Sequence, residues 1–188
     1  AGGWPILAIG IASLIAGWAY SNGPLPIAMT PLGEVFVILF FGVAAVCGTA
    51  YLANPAAISG QTLVLGVATG LPAAAVLTVN NHRDRALDRR NGRRTLAILL
   101  GVAGSRALFT ALLLASVALT ALPTLALAGP IGAGIVLAGF LPAFWLSTLC
   151  WQIPVGRGLN ALLGKTAAFQ LALAALFAVA ILLARALA

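Results

Sequence analysis

Apolar segments long enough to cross a bilayer follow one another along nearly the whole chain, and no water-soluble domain could bury them all. A helix needs about 20 apolar residues to cross the hydrocarbon core. Six stretches approach or meet that length: Trp4–Tyr20, Glu34–Ala53, Gln61–Val79, Ser105–Leu122, Pro130–Cys150 and Thr166–Leu187. Of the 188 residues, 62% are hydrophobic and only 7% charged, where a soluble domain carries about 25% charge to cover its surface. The solvent of this chain is therefore mostly lipid. The expected fold is all-α, a multi-pass transmembrane helix bundle of about six spans, with residues 1–188 forming a single integral-membrane domain.

The breaks between spans are readable. Ser21–Gly33 ends the first span with three prolines and two glycines, and Thr95–Gly104 is expected near the interface ahead of the fourth. Trp4 and Trp18 are placed for the two membrane interfaces. Cys47 and Cys150 lie inside apolar spans without metal-ligand spacing, which makes them packing residues. The formal charge of +7 would suggest nucleic acid in a soluble protein. Here the positive residues sit in short loops between apolar spans, so no nucleic-acid partner is expected and the charge speaks to orientation and anionic headgroups. The turns Asn54–Gly60 and Pro123–Gly129 carry no charge, whereas the two loops between the third and fourth and the fifth and sixth spans are basic. By the positive-inside rule the basic loops face the cytoplasm and both ends of the chain face outward.

One stretch departs from all this. Asn80–Ala97, reading NNHRDRALDRRNGRRTLA, holds two of the three acidic residues, six of the ten basic ones and the only histidine. If the third helix continues past Val79, Asn81, Asp84 and Asp88 fall on one face, and Asn80 joins it through its four-residue step to Asp84. Two carboxylates and an amide suit a hard cation such as Mg²⁺, which is commonly held by one or two carboxylates with waters and substrate phosphates. The surrounding arginines offer planar forks for phosphate oxygens. A plain alternative is a basic loop gripping anionic lipid. The aspartates would repel those headgroups, and salt-bridging them to Arg85 or Arg89 would contribute only about 0–1 kcal/mol.

The remaining polar residues have ordinary readings. His82 points away from the aspartate face as an interfacial side chain, Glu34 complements the positive end of a helix, Tyr20 anchors a span end, and Arg106 and Arg185 can snorkel. Asn160 and Lys165 share the second basic loop, Trp151–Lys165, and could line the same site as the island.

The island resembles the second aspartate-rich motif of the UbiA superfamily of intramembrane prenyltransferases, and most closely that of its naphthoate-prenylating branch. GWAYSNGPLPIAMTPLGEVFVILFFG (Gly17–Gly42) and GRGLNALLGKTAAFQLALAALFA (Gly156–Ala178) resemble two further stretches of that branch, so the likeness runs in order through nearly the whole chain. It implies a transfer of a polyprenyl group from polyprenyl diphosphate to 1,4-dihydroxy-2-naphthoate, with loss of diphosphate and carbon dioxide, giving demethylmenaquinone. It implies Mg²⁺ as cofactor, with Asp84 and Asp88 catalytic and Asn81, Asp84 and Asp88 serving the metal. Arg83, Arg93 and Arg94 become diphosphate contacts, and Tyr20, Asn80, Asn160 and Lys165 line the substrate pocket. Where the hydroxybenzoate branch has a lysine four residues after the tyrosine, this chain has Pro24, which favours naphthoate. Phytyl transfer to the same acceptor and a non-catalytic lipid-binding or transporter-like bundle are the competing readings.

The resemblance also has a gap. The family's first aspartate-rich motif has no counterpart here, and the six spans correspond to the fourth through ninth of the nine in full-length members. The chain starts at Ala1 without a charged leader. The expectation is an N-terminally incomplete transferase of the cell (inner) membrane, inactive on its own.

Overall fold

A capped start explains the longest straight helix of the molecule. Ser59 Oγ accepts the Thr62 N–H at 3.3 Å, and the helix that follows runs from Gly60 to Arg90. The computed structural model describes residues 2–24 and 26–187. In chain order its helices are α1 (Gly3–Ser21), α2 (Gly33–Ala53), α3 (Gly60–Arg90), α4 (Leu96–Leu137), α5 (Phe140–Gln152) and α6 (Asn160–Ala186). Short 3₁₀ turns lie at Ile27–Met29, Pro55–Ala57 and Arg157–Leu159. Among the described residues there is no strand. The fold is an all-helical, multi-pass bundle.

Five helical stretches are long and apolar enough to cross a membrane, and one of them, Leu96–Gln152, has 57 residues. Straight, it would measure about 85 Å, nearly three times the hydrocarbon core. It folds back instead. Gly129 has φ 67° and ψ −171°, outside the helical region and open only to glycine at low cost, and Pro130 starts the returning helix with a preset φ. Val117 and Gly139 would be about 33 Å apart on a straight helix, yet a Cβ added to Gly139 would lie 3.3 Å from Val117 Cγ2. This stretch therefore supplies two passes, and the expected six spans are all present. The expected turn at Pro123–Gly129 is helical as far as Gly129, so the reversal occupies one residue. The expected loop Trp151–Lys165 is likewise shorter: α5 continues to Gln152 and α6 begins at Asn160.

The core forms where α3, α4, α5 and α6 meet, around Val79, Phe109, Leu113, Val117, Leu146 and Leu162, none more than 1% exposed. α3 is the central helix and α1 the peripheral one, with no buried residue. The exposed side chains are large and apolar, Trp4 at 82% and Leu14 at 77% among them, as a lipid solvent requires. Most buried hydroxyls are satisfied within their own helices: Thr78, Thr120, Thr124, Ser147 and Thr166 each donate to the carbonyl four residues back, whereas the buried Thr95 hydroxyl has no partner among the described residues.

Small residues set the closest helix crossing. A Cβ on Gly70 would stand 2.8 Å from Ile38 Cα, and one on Gly66 would stand 2.9 Å from Val43 Cα. Backbone touches backbone there, the usual way for membrane helices to associate. The α2 segment in this crossing, Ile38–Ala44, is π-helical.

Candidate functional site

α3 continues three turns past Val79, and its last turns present the charged island as a rigid helical face. Arg83 is the hub. Its Nε and Nη2 donate to the two Asp84 carboxylate oxygens at 2.8 and 2.5 Å, and Nη2 also donates to Asn80 Oδ1 at 2.9 Å. Nη1 reaches across to the start of α6 and donates to Asn160 Oδ1 at 2.9 Å. Arg83, Asp84 and Asn160, with Gly156 and Arg157, line a polar cavity of about 410 Å³.

Asp88 lies one turn beyond Asp84 on the same side. It is buried, and Arg93 Nη1 stands 3.4 Å from its Oδ1. The chain turns sharply after Arg90, so that the Arg93 N–H donates to the Asp88 carbonyl and the Arg94 N–H to the Met29 carbonyl at 2.8 Å. The island is thereby tied to the segment between α1 and α2. Asn81 is buried, and its Nδ2 donates to Glu34 Oε1 at 3.1 Å. That bond turns the amide oxygen away from Glu34.

The two aspartates sit in different electrostatic settings. The Arg83 guanidinium holds the Asp84 carboxyl below its ordinary pKa. Burial raises Asp88 above its ordinary value, against the opposing pull of Arg93. Among the described residues no group of three or more His, Cys, Asp or Glu side chains is placed to close around a metal ion. The donors present, two carboxylates one turn apart and an amide oxygen, suit a hard cation shared with a phosphate-bearing ligand.

Below the polar cavity the site becomes apolar. Asn80, the Arg83 partner, also lines a cavity of about 430 Å³ with Val76, Leu77 and Leu163, walled on the α2 side by Val37 and Phe41. Ala167 and Gln170 of α6 close its deep end and also line a second cavity of about 580 Å³ with Leu65, Pro72, Ala174 and Phe177. Facing stripes of α3 and α6 thus line a groove of two adjoining cavities, which together extend about 22 Å from Asn80 to Leu65 at 1.5 Å per residue.

The other expected site residues are placed as follows. Tyr20 is half-buried with its ring 5.1 Å from Phe36, near the α2 start that carries Glu34. Arg94 is exposed. Lys165 lies over the Trp145 ring at 4.9 Å from the centroid. Five helical residues turn it about 140° from Asn160, so the two face different ways.

A family model for the UbiA prenyltransferase family matches residues 1–158. The chain belongs to the UbiA prenyltransferase family. It is similar to the 1,4-dihydroxy-2-naphthoate octaprenyltransferases of Mycobacterium leprae, 38% identical over 62% of this chain and 39% of the relative, and of Escherichia coli, 39% identical over 62% and 37%. It is also similar to UbiA prenyltransferase domain-containing protein 1 of Gallus gallus, 34% identical over 53% of this chain and 29% of the relative. The aligned region spans about a third of the length of these curated relatives. No solved structure matches.

Three residues of this candidate site escape sequence reading. Glu34 does sit in the first turn of α2, but it is only 3% exposed and is bound to Asn81, a partner 47 positions away. His82 is not interfacial as expected. It is 1% exposed with neither ring nitrogen hydrogen-bonded, and burial together with the charges of Arg106 and Arg85 lowers its pKa. Gln170 Nε2 donates to the Thr69 carbonyl at 3.3 Å inside the groove. A polar side chain in the middle of the last apolar span was its only signal.

Proposed function

We propose that this chain carries the donor-binding half of a membrane prenyltransferase that moves a polyprenyl group from its diphosphate to 1,4-dihydroxy-2-naphthoate. One observation carries the reading: a cluster of arginine, asparagine and aspartate side chains heads two adjoining apolar cavities between α3 and α6. That is the shape of a ligand with an anionic head and a long hydrocarbon tail. The names of the relatives supply the acceptor, and the product expected from it, demethylmenaquinone, puts the reaction in menaquinone biosynthesis.

In this reading Arg83, Arg93 and Arg94 bind diphosphate oxygens, while Asn80 and Asn160 orient the Arg83 fork. Asn81, Asp84 and Asp88 would hold Mg²⁺, whose chemistry is to neutralise charge building on the departing diphosphate. The prenyl carbon–oxygen bond breaks with its electron pair leaving on diphosphate, and the allylic carbon bonds to the naphthoate ring. The ring then releases its carboxyl carbon as carbon dioxide, recovering the bonding pair and leaving the hydroquinone of demethylmenaquinone. The apolar groove walls keep water from the allylic cation. Tyr20 is assigned to the acceptor side. We place the protein in the cell (inner) membrane with the island facing the cytoplasm. The reaction is assigned to the protein that carries this stretch, since the stretch covers about a third of its relatives.

Liposomes containing the protein as its gene encodes it, supplied with Mg²⁺, geranylgeranyl diphosphate and 1,4-dihydroxy-2-naphthoate, are expected to form the prenylated product. Chelation should abolish it. Asp84→Asn and Asp88→Asn should each lower kcat/KM at least about 100-fold with the protein still folded and inserted. Full activity in either variant, or indifference to chelation, would refute the assignment.

A further inference from the structure

The groove has a neck. Its shallow chamber and its deep chamber have two residues in common, Ala167 and Gln170, which stand one turn apart on α6. Gln170 is pinned. Its Nε2 bonds to the Thr69 carbonyl of α3 at 3.3 Å. The Gln170 amide therefore ties α6 to α3 where the two chambers meet. Ala167 lies one turn nearer the polar end on the same α6 face. It is exposed to the groove rather than packed in the core, so a larger side chain there would project into open space.

We propose that Ala167 and Gln170 form a gauge that governs how many isoprene units the groove seats. This rests on the donor-binding reading given above. The shallow chamber runs along α3 from Asn80 to Ala73, about 10 Å at the helical rise. An isoprene unit adds four chain carbons, about 5 Å when extended at ~1.5 Å per bond. With its diphosphate at Arg83, a prenyl donor fits about two units above the neck, and every later unit passes over the α6 face that carries Ala167 and Gln170. The methyl group of Ala167 leaves that passage open. The deep chamber, from Pro72 to Leu65, extends about another 10 Å and takes the following units. Tail length is therefore read at a single α6 position, far from the reacting carbon.

The test offers the gene-encoded protein in liposomes an equimolar mixture of geranyl, farnesyl and geranylgeranyl diphosphates, with Mg²⁺ and 1,4-dihydroxy-2-naphthoate. Products are quantified by mass spectrometry. Ala167→Phe is expected to lower the geranylgeranyl-to-geranyl ratio of kcat/KM at least about tenfold. Ala167→Gly widens the neck and should hold or raise that ratio. A ratio within about twofold of the parent in Ala167→Phe overturns the gauge, as does a fall in Ala167→Gly. Loss of transfer with all three tails in Ala167→Phe also overturns it, because a plug below two units leaves the shortest tail its seat. Absence of product from the unmodified protein with any donor overturns the assigned reaction itself, and the gauge with it.

Discussion

Arg83 reaches four side-chain oxygens on three residues, and this makes the two aspartates unequal. Asp84 has both oxygens committed to the guanidinium, which lowers its pKa, while burial raises Asp88. On acidification Asp88 takes its proton first. The signs for stability are opposite. The Asp84 pair contributes above the ordinary carboxylate pKa and fades as pH falls through its lowered value. Burial of ionised Asp88 disfavours the fold as pH rises from the ordinary value through the raised one. In [¹³C]aspartate-labelled protein the carboxyl resonances of the two aspartates in this stretch are assigned by Asp84→Asn and Asp88→Asn. The expected titration curves bracket the ordinary carboxylate pKa, with Asp88 above and Asp84 below. The reverse order would mean that Arg83 does not hold Asp84 in the membrane-bound protein.

At the scale of helices, the α2–α3 crossing is where packing has least room to give. A Cβ on Gly70 would lie 2.8 Å from Ile38 Cα, a backbone atom that no rotamer change can move. Gly70→Ala should destabilise the protein by about 1–3 kcal/mol through overpacking. Gly10→Ala on α1 meets nothing within 4 Å and should be neutral or slightly stabilising through helix propensity. Thermal unfolding in one detergent compares the two, and equal effects would show that the crossing is looser than drawn. The same contrast explains what sequence could reveal. Span positions are legible because an apolar run of given length has few alternatives to crossing a membrane. The island was legible because Asn81, Asp84 and Asp88 share a face as soon as α3 continues. Glu34 was not, because its role depends on the break after α1 returning the α2 N-terminus to Asn81. Nor was the burial of His82, which depends on packing against neighbours distant in sequence. The one-residue reversal at Gly129 was hidden for a local reason: an apolar run containing Pro123 and Pro130 looks like a turn long before the chain makes one.

Across the whole molecule, the helices gather almost all the positive charge at one end. Arg83 bonds to Asn160, Arg106 Nη2 donates to the Ile153 carbonyl at 2.9 Å, and the Arg94 N–H meets the Met29 carbonyl. The island, Arg106, Arg157 and Lys165 therefore lie at the same end, and of the ten Lys and Arg only Arg185, in the last turn of α6, lies at the other. The turns at that other end are uncharged. By the positive-inside rule such asymmetry is expected to keep the basic end on the side of synthesis. The proposed reaction needs the same arrangement: a diphosphate head does not cross hydrocarbon, so a site for such a donor must open on the side where the donor is made. Arg89 and Ser59 are both exposed, at opposite ends of α3. With Cys47 and Cys150 replaced by alanine, Ser59→Cys should react with a membrane-impermeant maleimide on intact cells. Arg89→Cys should react only after the membrane is permeabilised. The opposite pattern would put the arginines and aspartates on the outer face, away from any cytoplasmic supply of prenyl diphosphate, and would refute the proposed reaction along with the orientation.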